Sequence, residues 1–289
     1  MWLGLFGCRM CSAITITGNI GEKKIIGKTM KWADDVAVSG GEIFSSCLPE
    51  TIEVDIANTN DEFHQLTAGH LPDWGIGAAD PSAMRIVIKN PDYFNYGQEM
   101  GEVMRHELAH LYLQSCCPNC RWPRWFHEGC AMLFSGEWRI GRDITVARAA
   151  AFSKLPLLRE LESVNNFSQS KADLSYSMSF LAVRYYIDKF GRAGLGELFE
   201  GMRSGRSFPT AFYDATGWDL GLWEADFKRY LKKRYFFIFW FGDWPVLWSA
   251  MVSFFIIIYV LKRRQMRRIK EEWEQIENID SIDHGPTST

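Results

Sequence analysis

Charge of a single sign is what this chain has least of: 32 Lys and Arg stand against 35 Asp and Glu, a formal net charge of -3 over 289 residues. That excludes a polyelectrolyte surface for the chain as a whole, and no nucleic-acid partner is expected. Apolar residues are not scarce. With 47% hydrophobic and 23% charged residues, a disordered chain is excluded and one domain with a sizeable core fits, with room for a small appendage. Charge is missing altogether from Trp244 to Leu261 (WPVLWSAMVSFFIIIYVL). As a helix this run would reach roughly 27 Å at ~1.5 Å per residue, close to the thickness of a bilayer's hydrocarbon core. Lys262, Arg263, Arg264, Arg267, Arg268 and Lys270 follow at once. The run therefore reads as one transmembrane helix near the C-terminus, which makes the lipid bilayer a partner; a buried core helix is the bland alternative. Six Lys or Arg beyond the run against five before it (Lys228, Arg229, Lys232, Lys233, Arg234) almost tie the positive-inside rule. The expected placement is a single-pass membrane protein with the main domain extracytoplasmic and the C-terminal tail cytoplasmic. A basic n-region is also missing from Met1 to Ala13 (MWLGLFGCRMCSA), which makes a poor export signal. The expected division is an N-terminal segment over 1–27, a main domain over 28–234, a membrane-spanning region over 235–261 and a basic-then-acidic tail over 262–289.

Within the main domain, Lys28 to Cys47 reads as a helix interrupted at Gly40 and Gly41. TIEVDIA, Thr51 to Ala57, alternates with period two and predicts a strand. Asn60 or Asp61 caps a short helix, EFHQL, and MRIVIKNP, Met84 to Pro91, predicts a second strand stopped by Asn90 and Pro91. From Gln98 onward the pattern is helical. The fold class this order predicts is α+β: a small antiparallel or mixed sheet followed by helices, plus the C-terminal transmembrane helix.

The segment MGEVMRHELAHLYLQ carries an H-E-x-x-H, His106, Glu107 and His110, placed mid-helix by Met100, Val103, Met104, Leu108 and Leu111. Residues i and i+4 share a helix face, so two imidazoles there can bind one Zn²⁺ while the intervening carboxylate reaches a metal-bound water. With 6 His in the chain, about 0.01 such motifs are expected by chance. Satisfied core histidines would leave two imidazoles and a carboxylate on one buried face without a reason. A catalytic zinc needs a third protein ligand. The residues after His110, LYLQSCC, lack the Gly and third His of a metzincin, which excludes that subclass. Downstream, in RWPRWFHEGCAMLF, Pro123 suits a helix's first turn, and a second helix running antiparallel would bring Glu128 over the His pair. His127 is the rival, projecting about 100° away from Glu128.

HELAH followed at this interval by PRWFHEGCA, with the strand RIVIKNP ahead, resembles the gluzincin metallopeptidases, specifically the peptidase MA-like group with H-E-x-x-H and then W-x-x-E-G-x-A. The resemblance runs from about Thr51 to Tyr235 and takes in SYSMSFLAVRYYIDKFG and FYDATGWDLGLWEADFKRYLKKRY. It implies a zincin-like domain over 28–234 that hydrolyses peptide or protein substrates, with Zn²⁺ on His106, His110 and Glu128 and with Glu107 as general base. It also implies that the strand ahead of the motif is a sheet edge, so that Arg85 to Ile88 would pair with an extended peptide. Relatives often carry an acid a turn beyond the third ligand, where this chain has Met132. The carboxylate that orients a ligand histidine must then come from elsewhere, with Glu102 and Glu137 as candidates. A downstream Tyr or His stabilises the oxyanion in related enzymes; Tyr176 is best placed by resemblance, with Tyr185 and Tyr186 as alternatives. The rival readings are a catalytically silent scaffold of the same fold and a metal hydrolase acting on a non-peptide bond.

Of seven Cys, Cys116, Cys117, Cys120 and Cys130 fall between or beside the proposed ligands. In an exported domain, disulfides pinning the turn between the two ligand helices are expected; in the cytoplasm these would be thiols. CCPNC could also form half of a structural zinc site with Cys8 and Cys11. An odd count leaves at least one Cys unpaired in a monomer.

Overall fold

The computed structural model describes residues 15–17, 23–44, 47–68, 75–95, 99–137, 140–152, 154–161, 169–242 and 244–283. Cys8, Cys11, Trp74 and most of the N-terminal segment fall outside them. The chain divides into two units, one up to Tyr235 and one from Phe236.

The sheet of the first unit is small and mixed. Its strands are β1 (Thr15–Thr17), β2 (Thr51–Ala57), β3 (Gly77–Asp80) and β4 (Arg85–Lys89), in the order β1-β2-β4-β3. β2 runs parallel to β1 and to β4, whereas β3 is antiparallel to β4. Helix α1 (Lys23–Gly40) and a 3-10 turn (Gly41–Ile43) precede β2, and α2 (Asn60–Leu66) follows it. The Thr59 hydroxyl caps α2 by accepting from the Glu62 N–H, one residue ahead of the expected cap. Pleating sends neighbouring strand residues to opposite faces. Ala57, Ala78 and Val87 accordingly meet Phe63 and Leu66 of α2. Gly77, on the other face, lies against Val103 of α3 (Met100–Cys116).

The rest of the unit is helical: α3, α4 (Arg124–Ser135), α5 (Ile140–Ala151), α6 (Gln169–Arg203), α7 (Phe208–Thr216) and α8 (Leu220–Gly242), the last of which crosses into the second unit. α6 is broken at Gly191, whose φ of 74° and ψ of 176° are not helical. An aromatic core of Trp125, Phe126, Phe199, Phe208, Phe212 and Trp223 joins α4, α6, α7 and α8.

Two expectations are corrected here. The chain is mostly helical, with strands of only 3, 7, 4 and 5 residues, in place of the expected α+β domain with a transmembrane helix. No helix among the described residues is long and apolar enough to cross a membrane, so the spanning helix, the bilayer partner and the single-pass placement are withdrawn. In the second unit the run forms part of α9 (Trp244–Asp283).

Disulfides join Cys47 to Cys116 and Cys117 to Cys120, with Cys130 free and buried. The first ties the segment ahead of β2 to the end of α3; the second closes the turn between α3 and α4. Arg203 reinforces the first, donating to the carbonyls of Cys116 and Ile43 at 2.9 and 3.1 Å. Cross-linking residues 69 apart removes denatured-state entropy worth about 4 kcal/mol. Under non-reducing conditions, Cys47→Ser is therefore expected to lower the melting temperature by roughly 10 °C. An unchanged melting curve would contradict this.

Candidate functional site

α3 and α4 run antiparallel. Arg105, early in α3, donates from Nε to the carbonyl of Ser135 at the end of α4 (3.1 Å). His110, two turns from the end of α3, meets His127 in the first turn of α4. The intervening turn carries Pro123 at the position before α4, and α4 stops at Gly136 in the left-handed conformation. The expected antiparallel return is thus what brings Glu128 over the histidine pair.

The three expected ligand atoms form a triangle. His106 Nε2 and His110 Nε2 are 3.1 Å apart, and Glu128 Oε2 is 3.5 Å from the first and 3.3 Å from the second. Ligands at about 2.0–2.1 Å in tetrahedral array around zinc have edges of about 3.3 Å. Two imidazoles and a carboxylate at this spacing fit such an ion, and His106, His110 and Glu128 form a group that could hold a metal. The electrostatics agree. Burial works against a charged His106, yet hydrogen bonds to Glu128 and Glu137 hold its pKa well above the usual value. Burial pushes Glu128 the other way, but His110 and His106 keep it well below the usual carboxylate range. The site favours positive charge at the point the three atoms share.

Around the triangle the expected residues separate. Glu107 is not part of it: its carboxylate is buried, and burial raises its pKa above 4.5 against the pull of both imidazoles. Gly77 of β3 makes room for it, since a Cβ there would lie 3.0 Å from Glu107 Oε1. Glu137, just past α4, places Oε2 3.0 Å from His106 Nδ1, while Glu102 stays in the first turn of α3. Tyr176 on α6 accepts a hydrogen bond from Arg124 and feels the charges of Glu128 and Glu107; burial raises its pKa. Tyr185 and Tyr186 are engaged elsewhere, donating to Asp226 (2.6 Å) and to the Gly194 carbonyl (3.0 Å). His127 is not at the shared point. Its Nδ1 lies 3.1 Å from His110 Nδ1, on the far side of that ring, and burial lowers its pKa to about 3.

Arg124 was not legible beforehand. Its Nη2 is 3.5 Å from Glu128 Oε1, the oxygen that does not face the histidines. The i,i+4 spacing of Arg124 and Glu128 was the available signal.

A further expectation fails. β4 is paired on both sides, by β2 and β3, so Arg85 to Ile88 offer no edge. The edge near α3 is β3, whose GAAD has no hydrophobic alternation to reveal it.

A helix bearing H-E-x-x-H, met by an antiparallel helix whose glutamate completes a group that could hold a metal, is the arrangement of a metallopeptidase-like domain. The family model of the Peptidase MA superfamily matches residues 42–233, and the chain belongs to that superfamily. The chain is also similar to the uncharacterized protein YhcO of Bacillus subtilis (strain 168), with 27% identity over 115 residues. That match takes in 39% of this chain and 34% of the relative, so the chain spans about a third of the relative's length.

Proposed function

We propose that the chain is a zinc-dependent peptidase of gluzincin type, with His106, His110 and Glu128 holding Zn²⁺ and Glu107 as general base. The observation that carries this is the 3.1, 3.3 and 3.5 Å triangle with a separate, buried carboxylate beside it. Bound zinc supplies Lewis acidity, lowering the pKa of water and polarising a substrate carbonyl. Glu107 takes the proton of the attacking water and passes it to the leaving amine. Its raised pKa suits both duties, because a carboxyl with a higher pKa returns a proton more readily. Tyr176, kept protonated by burial and accepting from Arg124, retains its O–H to donate to the oxyanion. The β3 edge, alongside α3, supports pairing with an extended peptide.

Two measurements test this reading. Metal analysis is expected to find one zinc per catalytic site, and a chelator such as 1,10-phenanthroline should stop cleavage of a peptide library, with zinc restoring it. Cleavage indifferent to chelation would exclude the mechanism, and a metal-loaded protein without turnover would be a scaffold. Second, kcat/KM should fall as pH drops through the Glu107 pKa, because the protonated acid cannot accept the water's proton. An acid limb is therefore expected in the zinc-loaded wild type, and a kcat/KM that stays flat down to the pH at which zinc is released would contradict Glu107 as the base.

A further inference from the structure

We infer that His127 is a positioning residue: its Nδ1 accepts the Nδ1–H of His110 and fixes that ring so that Nε2 points to the corner shared with His106 and Glu128. This rests on the zinc reading above. The two Nδ1 atoms are 3.1 Å apart, with ring centroids at 4.6 Å and planes 30° apart. Facing nitrogens of neutral imidazoles can bond only if one carries a proton and the other does not. A His110 that gives Nε2 to a metal has its only proton on Nδ1, so it must be the donor. His127 must then be the acceptor, with its own proton on Nε2. The metal chooses His110's tautomer, and that tautomer chooses His127's.

Two further observations single out this contact. The other ligand imidazole also has a polar neighbour behind it, with Glu137 Oε2 3.0 Å from its Nδ1. The far nitrogen of His127, Nε2, is buried without a hydrogen-bond partner among the described residues. A residue kept for packing alone would be better apolar, since an unpaired buried donor is costly. What His127 gains from its polarity lies at Nδ1. On α4 the neighbours His127 and Glu128 point about 100° apart, so one reaches the back of the His110 ring while the other reaches its metal-facing edge.

The test uses the full chain with His127→Asn, His127→Gln and His127→Phe, measuring zinc affinity by competition with a chromophoric chelator and the melting temperature of each metal-free protein. The Asn amide oxygen falls near the place of Nδ1, whereas the Gln amide falls near Nε2 and cannot reach His110. Asn is expected to keep the wild-type Kd within a few-fold. Gln and Phe are expected to weaken it by about 10–100-fold, with metal-free melting temperatures that do not follow this order. Gln binding zinc as tightly as Asn, or Phe as tightly as wild type, would overturn the inference. Should Phe fail to fold, the Asn and Gln pair decides. His110→Ala separates the two readings: if it binds zinc as well as wild type does, the metal site itself is wrong, whereas loss of zinc there with no effect at His127 refutes only the positioning role.

Discussion

Glu107→Gln is expected to lower kcat/KM by about three orders of magnitude while zinc is bound as in the wild type. The substitution keeps volume and hydrogen-bonding capacity, so the buried pocket beside Gly77 and Val103 stays filled. It removes one property, the ability to take and return a proton. Glu107 also lies outside the His106, His110 and Glu128 group, so the metal should not be lost with it. Zinc stoichiometry and peptide cleavage measured on one preparation check both halves. Activity retained in the amide variant would falsify the assignment of Glu107 as base, and zinc lost with activity would make it part of the metal site.

The second large effect is expected at Gly129→Ala. A Cβ on Gly129 would stand 2.3 Å from the carbonyl oxygen of Ser179 and 2.7 Å from Val183 Cγ2, so α4 and α6 touch backbone to backbone there. No rotamer relieves a clash made by Cβ itself. The helices must separate, at about 1–3 kcal/mol, which corresponds to a melting temperature lower by roughly 2–12 °C. Glu128 immediately precedes Gly129, so the shift carries the third ligand away from the histidines and zinc affinity should fall with stability. Gly196→Ala is the control: that glycine lies in α6 with nothing near its Cβ, and alanine there should leave zinc binding unchanged and stability equal or slightly higher. Equal melting curves for the two variants would show that the close approach does not matter.

Much of the site is local in sequence and could be read there. His106, Glu107 and His110 are fixed by helical periodicity, and Glu128 by a short connection that leaves few ways for α4 to return along α3. Thr51 to Ala57 announced itself by alternation and forms a strand over that range. What was hidden depends on partners remote in sequence or on segments without a pattern. β3 is four small or polar residues, so the strand that flanks Glu107 carries no hydrophobic signal, whereas the more apolar β4 draws the eye although β3 covers its edge. Glu137 reaches His106 only because α4 ends where it does, which spacing alone does not specify. His127 was legible as an imidazole near the site but not as one behind His110, because that depends on the rotation of α4 about its axis. The uncharged run from Trp244 to Leu261 was read by its length, but among the described residues no helix is apolar enough over a sufficient length to cross a membrane.

The break at Gly191 has a consequence for the size of the first unit. Unbroken, the 35 residues of α6 would make a rod of roughly 52 Å, longer than the about 45 Å width of a unit this size. Bent at a φ of 74°, the same residues form two shorter arms, one packed against α4 at Gly129 and one whose Arg203 closes on the carbonyl of Cys116. One residue without a side chain thereby lets a long helix serve both α4 and the end of α3.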